Sequence, residues 1–425
     1  MSEKQRIAVI GSGIAGLASA WLLARQHQVT LFEANSYFGG HTHTVDVTLE
    51  GMTAPVDTGF LVHNDLTYPN LIALFHHLGV QTHETSMTFS VAVEKCGIEW
   101  AGNNLDTIFC QRRNLVRPRF LRMLKDILRF NRHAEMYLKE VAETECSLGE
   151  LLNRQGYGTD MREWYLLPMT AAIWSCSTQA VLDFPAATFL RFCLNHRLLQ
   201  INERPIWKTV LGGARDYVNR MLPDIAETYL DCPVYAVRRN GQGVMVDSAQ
   251  GAACFDQVVM ACHAPSTMQL LDCNPEEREI LGAFRTQPNQ AVLHTDISQL
   301  PRNRKAWAAW NYRMATTQHA DYPVTVSYLL NALQPLPWQS QVIVTLNPDT
   351  SISDEAVLGR FEYAHPLMDA AAIKAQRALP EIQGRDRIWF CGAWSGYGFH
   401  EDGLKSALRV ARGFGIQPPW QAVYE

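Results

Sequence analysis

Arg6-Ile-Ala-Val-Ile-Gly-Ser-Gly-Ile-Ala-Gly16, with Gln28-Val-Thr-Leu-Phe-Glu33 following a helical stretch, decides the fold of this chain. Arg6 to Ile10 reads as a buried strand, Ile14 to Arg25 as the helix it feeds, and Gln28 to Glu33 as a second strand ending in a carboxylate. Gly11 permits a tight turn, Gly13 lets a pyrophosphate approach the backbone, and Gly16 lets the helix pack closely on the strand. The free N–H groups at the helix start, from Ile14 and Ala15 onward, and its positive dipole end then receive the phosphates. Glu33 can accept hydrogen bonds from both hydroxyls of an adenosine ribose, and it would repel a 2′-phosphate. Strand, triplet, helix, strand and acid in this order point to a dinucleotide. They name neither the dinucleotide nor the reaction.

Composition narrows the class. A chain of 425 residues that is 47% hydrophobic can form two domains with sizeable cores. Its formal net charge of −5 argues against nucleic acid as the main partner. Ten cysteines are scattered without a CxxC pair, which indicates neither a zinc site nor a disulfide framework. They read as small buried apolar side chains in a reducing compartment. A first strand starting at residue 6 leaves no room for a signal peptide, and no apolar run reaches the roughly 18–20 residues of a membrane span. The expectation is a soluble, cytoplasmic globular protein.

Beyond Glu33, Asn35-Ser-Tyr-Phe-Gly-Gly-His-Thr-His-Thr44 carries a glycine doublet in a loop. Asp57-Thr-Gly-Phe60 reads as a second turn near the cofactor, with Asp57 either a cofactor ligand or a turn cap. Residues 66–78 are helical in pattern, and Met87–Val93 with Gly97–Ala101 form a hairpin. From about 104 to 200 the chain is mostly helical, and Arg112 to Arg132 holds eight basic residues and one acid, Asp126. Phe120, Leu124, Ile127 and Leu128 fall on one side of a helix there, and Arg122, Lys125, Arg129 and Arg132 on the other. Such a helix suits peripheral contact of 112–132 with an anionic membrane surface. The same residues suit a core-facing helix with a solvated basic face.

From 205 the chain returns to its first domain. Leu211-Gly-Gly-Ala214 is a turn before a helix, and Cys232–Arg239, Gly243–Asp247 and Phe255–Ala261 read as strands. The last runs out at His263-Ala-Pro265, where a parallel strand's carboxyl end faces the ligand crevice. Gln290–Thr295, Ala306–Tyr312, Val324–Leu330 and Gln341–Leu346 alternate like an antiparallel sheet, with Trp307, Trp310 and Trp338 as pocket wall or plain core. The tail, Arg387-Ile-Trp-Phe-Cys-Gly-Ala-Trp-Ser-Gly-Tyr-Gly-Phe-His-Glu-Asp-Gly403, reads as a strand, a glycine-rich loop and a helix from about Leu404. Its glycine density favours a helix start aimed at another part of the same cofactor.

Together these motifs resemble the flavin-containing amine oxidase superfamily, which includes monoamine and polyamine oxidases, protoporphyrinogen oxidase and the phytoene desaturases. More narrowly they resemble a bacterial subgroup described as predicted NAD/FAD-binding amine oxidoreductases. The resemblance implies FAD. Gly11, Gly13, Ile14, Ala15, Gly16 and Glu33 match its adenosine and pyrophosphate site, and Gly39-Gly40, followed by His41 and Thr42, its glycine doublet. Val234 falls where a backbone group meets the adenine, and Gly392-Ala393 through Asp402-Gly403-Leu404 matches the segment beside the isoalloxazine ring. The implied fold is α/β: a Rossmann-like FAD-binding domain, discontinuous over 1–85, 205–285 and 386–425. A second α+β substrate domain, antiparallel sheet plus helices, covers 86–204 and 286–385.

Three positions depart from the family's pattern. Tyr37 and His41 stand where arginines often flank the doublet, so the pyrophosphate falls mainly to helix N–H groups, with His41 helping. The strand matched to the family's lysine, Gln290–Asp296, offers His294, and His400 replaces an aromatic of the amine cage. Trp394, Tyr397 and Phe399 could rebuild part of that cage. His294 and His400 are therefore the candidate catalytic groups, as proton relay or substrate positioner, beside a plain structural reading of each. His41-Thr-His43 lacks supporting carboxylates, so no metal is expected, and Cys391 reads as a buried thiol rather than a covalent flavin link.

The expected function is amine oxidase-like hydride transfer from an organic substrate to flavin N5. The missing lysine and cage aromatic leave open a desaturase or isomerase acting on a lipid or acyl chain. A non-catalytic flavin-binding protein is a further alternative, and so is an NAD-dependent dehydrogenase, which would leave Gly392–Gly403 without a purpose. The substrate, small molecule or lipid, the electron acceptor and the oligomeric state are not written in the sequence.

Overall fold

The computed structural model describes residues 4–174, 177–200, 205–314 and 324–424. A five-stranded parallel sheet carries the glycine triplet. Its order is Glu227–Tyr229, Gln28–Phe32, Arg6–Ile10, Gln257–Met260 and Ile388–Phe390, so segments distant in sequence become neighbours. The central strand is apolar on both faces because both are covered. Ile7 and Val9 pack with the helix Ile14–Leu23, every residue of which is buried, and with the C-terminal helix His400–Gly413. Ala8 and Ile10 pack against an antiparallel layer of Val234–Arg239, Val244–Ser248 and Gly251–Phe255. The expected strand Phe255–Ala261 is thus two strands. The chain turns at Asp256, whose carboxylate and N–H both bond the backbone of Arg6, and only Gln257–Met260 joins the parallel sheet.

The second body is a seven-stranded sheet in the order Val357–Leu367, Arg285–His294, Ile343–Leu346, Thr325–Leu329, Trp310–Met314, Phe89–Val93 and Ile98–Ala101. All pairs are antiparallel except Trp310–Met314 with Phe89–Val93. Val357–Leu367 was not anticipated. It is an edge strand, where Pro366 does not interrupt a ladder on its free side.

Helices cover this sheet. Within Pro118–Val141 the buried stripe is Phe120, Met123, Phe130, Ala134, Tyr137 and Val141, so the helix faces the core. Leu128 is a correction: it is 50% exposed, because the stripe is rotated from the expected one. Arg129 is also corrected. Its guanidinium lies 3.9 Å from the Tyr157 ring centroid and donates to the Gln155 and Gly156 carbonyls. The basic stretch is not one helix, since Arg112–Val116 is a separate 3-10 turn and Pro118 starts the helix proper. Among the described residues no helix is long and apolar enough to cross a membrane.

Candidate functional site

A cavity of about 530 Å³ opens at the carboxyl ends of the parallel strands, within the range of ligand sites. Gly11, Ser12, Gly13, Ile14 and Ala15 line one end. Gly11 turns at φ +98°, and its N–H closes on the Phe32 carbonyl. A Cβ on Gly13 would meet nothing within 4 Å, which is the room a phosphate needs. A Cβ on Gly16 would fall 1.9 Å from the Gly11 carbonyl oxygen, so Gly16 serves helix packing and does not line the cavity. The helix Ile14–Leu23 has no side-chain cap and no acid in its first turn, which leaves its first N–H groups for an anion.

Glu33 is buried at the cavity wall. Its Oε2 accepts from Ser12 N–H and Oγ, and its Oε1 from Asn35 N–H, which leaves lone pairs for ribose hydroxyls. Gly39 N–H donates to the same Ser12 hydroxyl, and a Cβ on Gly40 would lie 3.0 Å from Gly13 Cα. The glycine doublet therefore closes over the phosphate turn. Val234 begins a strand held near Glu33, whose carbonyl accepts from Cys232 N–H, but Val234 itself is not among the lining residues.

Gly392, Ala393, Trp394, Gly398, Phe399 and His400 line the far end. The helix begins at His400, one turn before the expected Leu404, and this moves three expected ligands behind the wall. The Asp402 carboxylate accepts from Phe399 N–H, and Leu404 lies in the core. Gly403 packs on Ile14, whose Cγ2 a Cβ there would meet at 2.7 Å. Burial pushes Asp402 up to about 6. Glu401 turns away and caps another helix, Pro69–Leu78, by accepting from the N–H groups of Asn70 and Leu71. Thr42 is also behind the wall, 2.9 Å from His400 Nε2 through its hydroxyl. Phe399 and Trp394 face the cavity, whereas Tyr397 packs beside Phe192.

Two expected site residues are fasteners instead. Asp57 accepts from Thr44 Oγ1 and Ala214 N–H on one oxygen and from Gln334 Nε2 on the other, so both are satisfied within the protein. Thr58, Gly59 and Phe60 of its turn still line the cavity. His294 is fully buried in its strand, with Nε2 2.8 Å from Thr345 Oγ1 and Nδ1 accepting from Asp296 N–H. It does not line the cavity, and burial holds its imidazole near 4.

Sequence reasoning missed Tyr363 and His365, which the edge strand Val357–Leu367 projects into the cavity. The period-two spacing of Tyr363-Ala-His365 was the available signal. His41 stands beside them, its ring centroid 5.2 Å from Tyr363, 5.4 Å from His365 and 6.0 Å from His263. Burial lowers all three histidines, His365 to about 4, and burial followed by His63 lowers His400 to about 3. At neutral pH these rings are therefore neutral hydrogen-bonding groups. His41 Nε2 and His263 Nδ1 are buried with no protein partner, leaving two polar atoms for a bound molecule. Among the described residues no group of three or more His, Cys, Asp or Glu could hold a metal.

The remaining wall is mostly apolar, with Leu61, Val62, Met87, Ile173, Trp310 and Leu346, Tyr328 beside them, and Glu362 as its one acid among the described lining residues. The empty space at Gly13, the uncapped helix start, the ribose-competent Glu33 and the two orphan imidazole nitrogens fit an FAD with a substrate chamber at its far end.

A family model described as flavin containing amine oxidoreductase matches residues 14–296, about two thirds of the chain. A Mycobacterium tuberculosis relative, AofH, provisionally named a flavin-containing monoamine oxidase, is 28% identical over 270 residues, covering 60% of this chain and 56% of its own. This chain thus matches little more than half of that relative's length. The CLA-producing fatty acid isomerase from P. acnes has a TM-score of 0.70 at 16% identity, covering 97% of this chain and 100% of that one. Cyclohexylamine oxidase from Brevibacterium oxydans IH-35A has a TM-score of 0.70 at 15% identity, with coverage of 97% and 100%. At such identities the solved structures speak to the fold alone. The family match, on a cradle shaped for that cofactor, carries the assignment: this chain belongs to the flavin-containing amine oxidoreductase family, and its dinucleotide is FAD.

Proposed function

We propose that this chain is an FAD-dependent oxidoreductase that takes a hydride from a neutral, hydrophobic, lipid-like substrate, forming or shifting a C=C bond. The observation that carries the reading is the cavity wall itself. Its substrate end is mostly apolar, its histidines are uncharged at neutral pH, and among the described lining residues the acids are Glu33, at the ribose end, and Glu362. A wall of this kind accommodates an alkyl or alkenyl chain better than an ammonium group. The overall likeness to a fatty acid isomerase is compatible with it.

When bound, FAD supplies a hydride acceptor at N5. The chain's own residues do the rest. Ile14 and Ala15 N–H groups would meet its phosphates, and Glu33 would hold its ribose. His400 stacks on Phe60 and is tied to Thr42, which fixes the loop from Gly392 to Phe399. The apolar wall excludes water and orients the alkyl chain. As the hydride leaves one carbon, a proton must leave its neighbour. His41, a neutral imidazole whose Nε2 has no protein partner, is placed to take it, with His365 alongside.

Amine oxidation is the second reading, favoured by the name of the relative AofH and by the aromatic walls from Trp394 and Phe399. Hydrogen peroxide release from the purified, yellow protein under air separates the two. Release with a member of an amine panel would overturn the lipid reading. Silence across the panel, with release or flavin turnover on unsaturated acyl lipids, supports it.

A further inference from the structure

One stretch of helix carries a face the fold leaves uncovered. In Pro118–Val141, Leu121, Leu128 and Met136 are 42%, 50% and 51% exposed. At 100° per residue they share an arc of roughly 80° with Lys125 and Arg132. Val116, 81% exposed, lies in the turn before the helix. Six of the fourteen exposed large hydrophobic side chains among the described residues fall between 105 and 136, so the patch is not a scatter of single residues. Among the described residues Lys125 and Arg132 make no ion pair, whereas Arg119 and Arg129 are paired with Asp160 and Asp126. The stretch from 112 to 132 holds eight basic residues and one acid in a chain whose net charge is −5. Beyond it the helix adds Glu135, Lys139 and Glu140, so the positive charge is concentrated N-terminal to Met136.

We propose that this face docks on an anionic lipid bilayer. Leu121, Leu128 and Met136 enter the interface, and Lys125 and Arg132 meet lipid phosphates. Charge complementarity selects this occupant over a second copy of the chain, because a two-fold contact would set the basic face against itself. The inference deepens the reading of a lipid-like substrate and rests on it for purpose, but binding can be measured without turnover.

The test is co-sedimentation of the full-length FAD-loaded protein with vesicles of phosphatidylcholine alone or with added phosphatidylglycerol. Binding to the anionic vesicles is expected to weaken with salt and to be marginal on phosphatidylcholine. Leu121→Ser with Leu128→Ser, and separately Lys125→Glu with Arg132→Glu, should each lower partitioning by roughly tenfold or more while the flavin spectrum stays unchanged. The proposal falls if the anionic vesicles bind no protein or if neither double variant changes binding. It also falls if the wild type is a dimer that the Leu121→Ser, Leu128→Ser variant splits. Failed vesicle binding alongside flavin turnover on detergent-dispersed lipid would overturn the docking surface alone.

Discussion

His400 Nε2 lies 2.9 Å from Thr42 Oγ1, joining the glycine-doublet loop to the last segment of the chain across 358 residues of sequence. The same ring stacks on Phe60 at 3.7 Å between centroids and lines the cavity. His294 is fully buried and has no face on the cavity. The two histidines should therefore separate in experiment. His400→Ala is expected to slow flavin turnover by roughly tenfold or more, since a wall group and its ties are lost together. His294→Ala should lower stability by about 1–3 kcal/mol, by leaving the Asp296 N–H without its acceptor and Thr345 Oγ1 with Ser327 as its remaining side-chain partner, with turnover per bound flavin unchanged. Melting curves and rates normalised to flavin content decide the matter.

The glycine triplet yields a second contrast. A Cβ at position 13 meets open space in the unliganded chain, whereas one at position 16 meets the Gly11 carbonyl oxygen at 1.9 Å. Gly13→Ala should fold, with stability within about 0.5 kcal/mol of the parent apoprotein, yet bind FAD at least roughly tenfold more weakly. Gly16→Ala should lose soluble protein outright. Apoprotein melting and an FAD titration check both.

Burial raises Asp57 from the usual carboxylate value to about 6. Between about pH 4 and pH 6 the folded chain thus keeps a proton that the unfolded chain has released. Unfolding free energy should fall as pH rises through that window, by roughly 2–3 kcal/mol at most from this group, and its contribution should level off above. Asp57→Asn removes this part of the slope. It also lowers stability at every pH, because an amide nitrogen would then face the Gln334 side-chain nitrogen. Denaturant titrations at about pH 4, the lower edge of the window, and at about pH 7.5, above it, measure the difference.

Cys391 is fully buried, its thiol 3.6 Å from Ser19 Oγ and pushed up to about 12 by burial. A thiol in that state is a poor nucleophile. Acid precipitation should therefore release all of the flavin into the supernatant, and flavin fluorescence retained on the pellet would contradict this.

What could be read from the chain was set by how local the cause is. Gly11, Gly13, Gly16 and Glu33 act through a turn, a helix start and the strand beside it, so spacing alone conveys their geometry. The turn at Asp256 contains neither glycine nor proline, and two strands ran together in the reading. The final helix starts at His400 because Glu401 and Asp402 sit in its first turn, a preference of helix N-termini that outweighs the attraction of Gly403 as a boundary. His294 was placed by analogy along a strand. Which strand faces a cavity depends on sheet order, and Val357–Leu367 at the edge took that role with Tyr363 and His365. The orphan nitrogens of His41 and His263 arise only when three distant segments meet, which no spacing records.

The account's central claim, hydride removal from a hydrophobic chain at this flavin, is tested most directly by anaerobic mixing of the yellow holoprotein with unsaturated acyl lipids and with amines in parallel. It predicts bleaching of the flavin absorbance by an acyl lipid, slowed in His41→Ala, and no bleaching by the amines. Bleaching by an amine with none by any acyl lipid would contradict it.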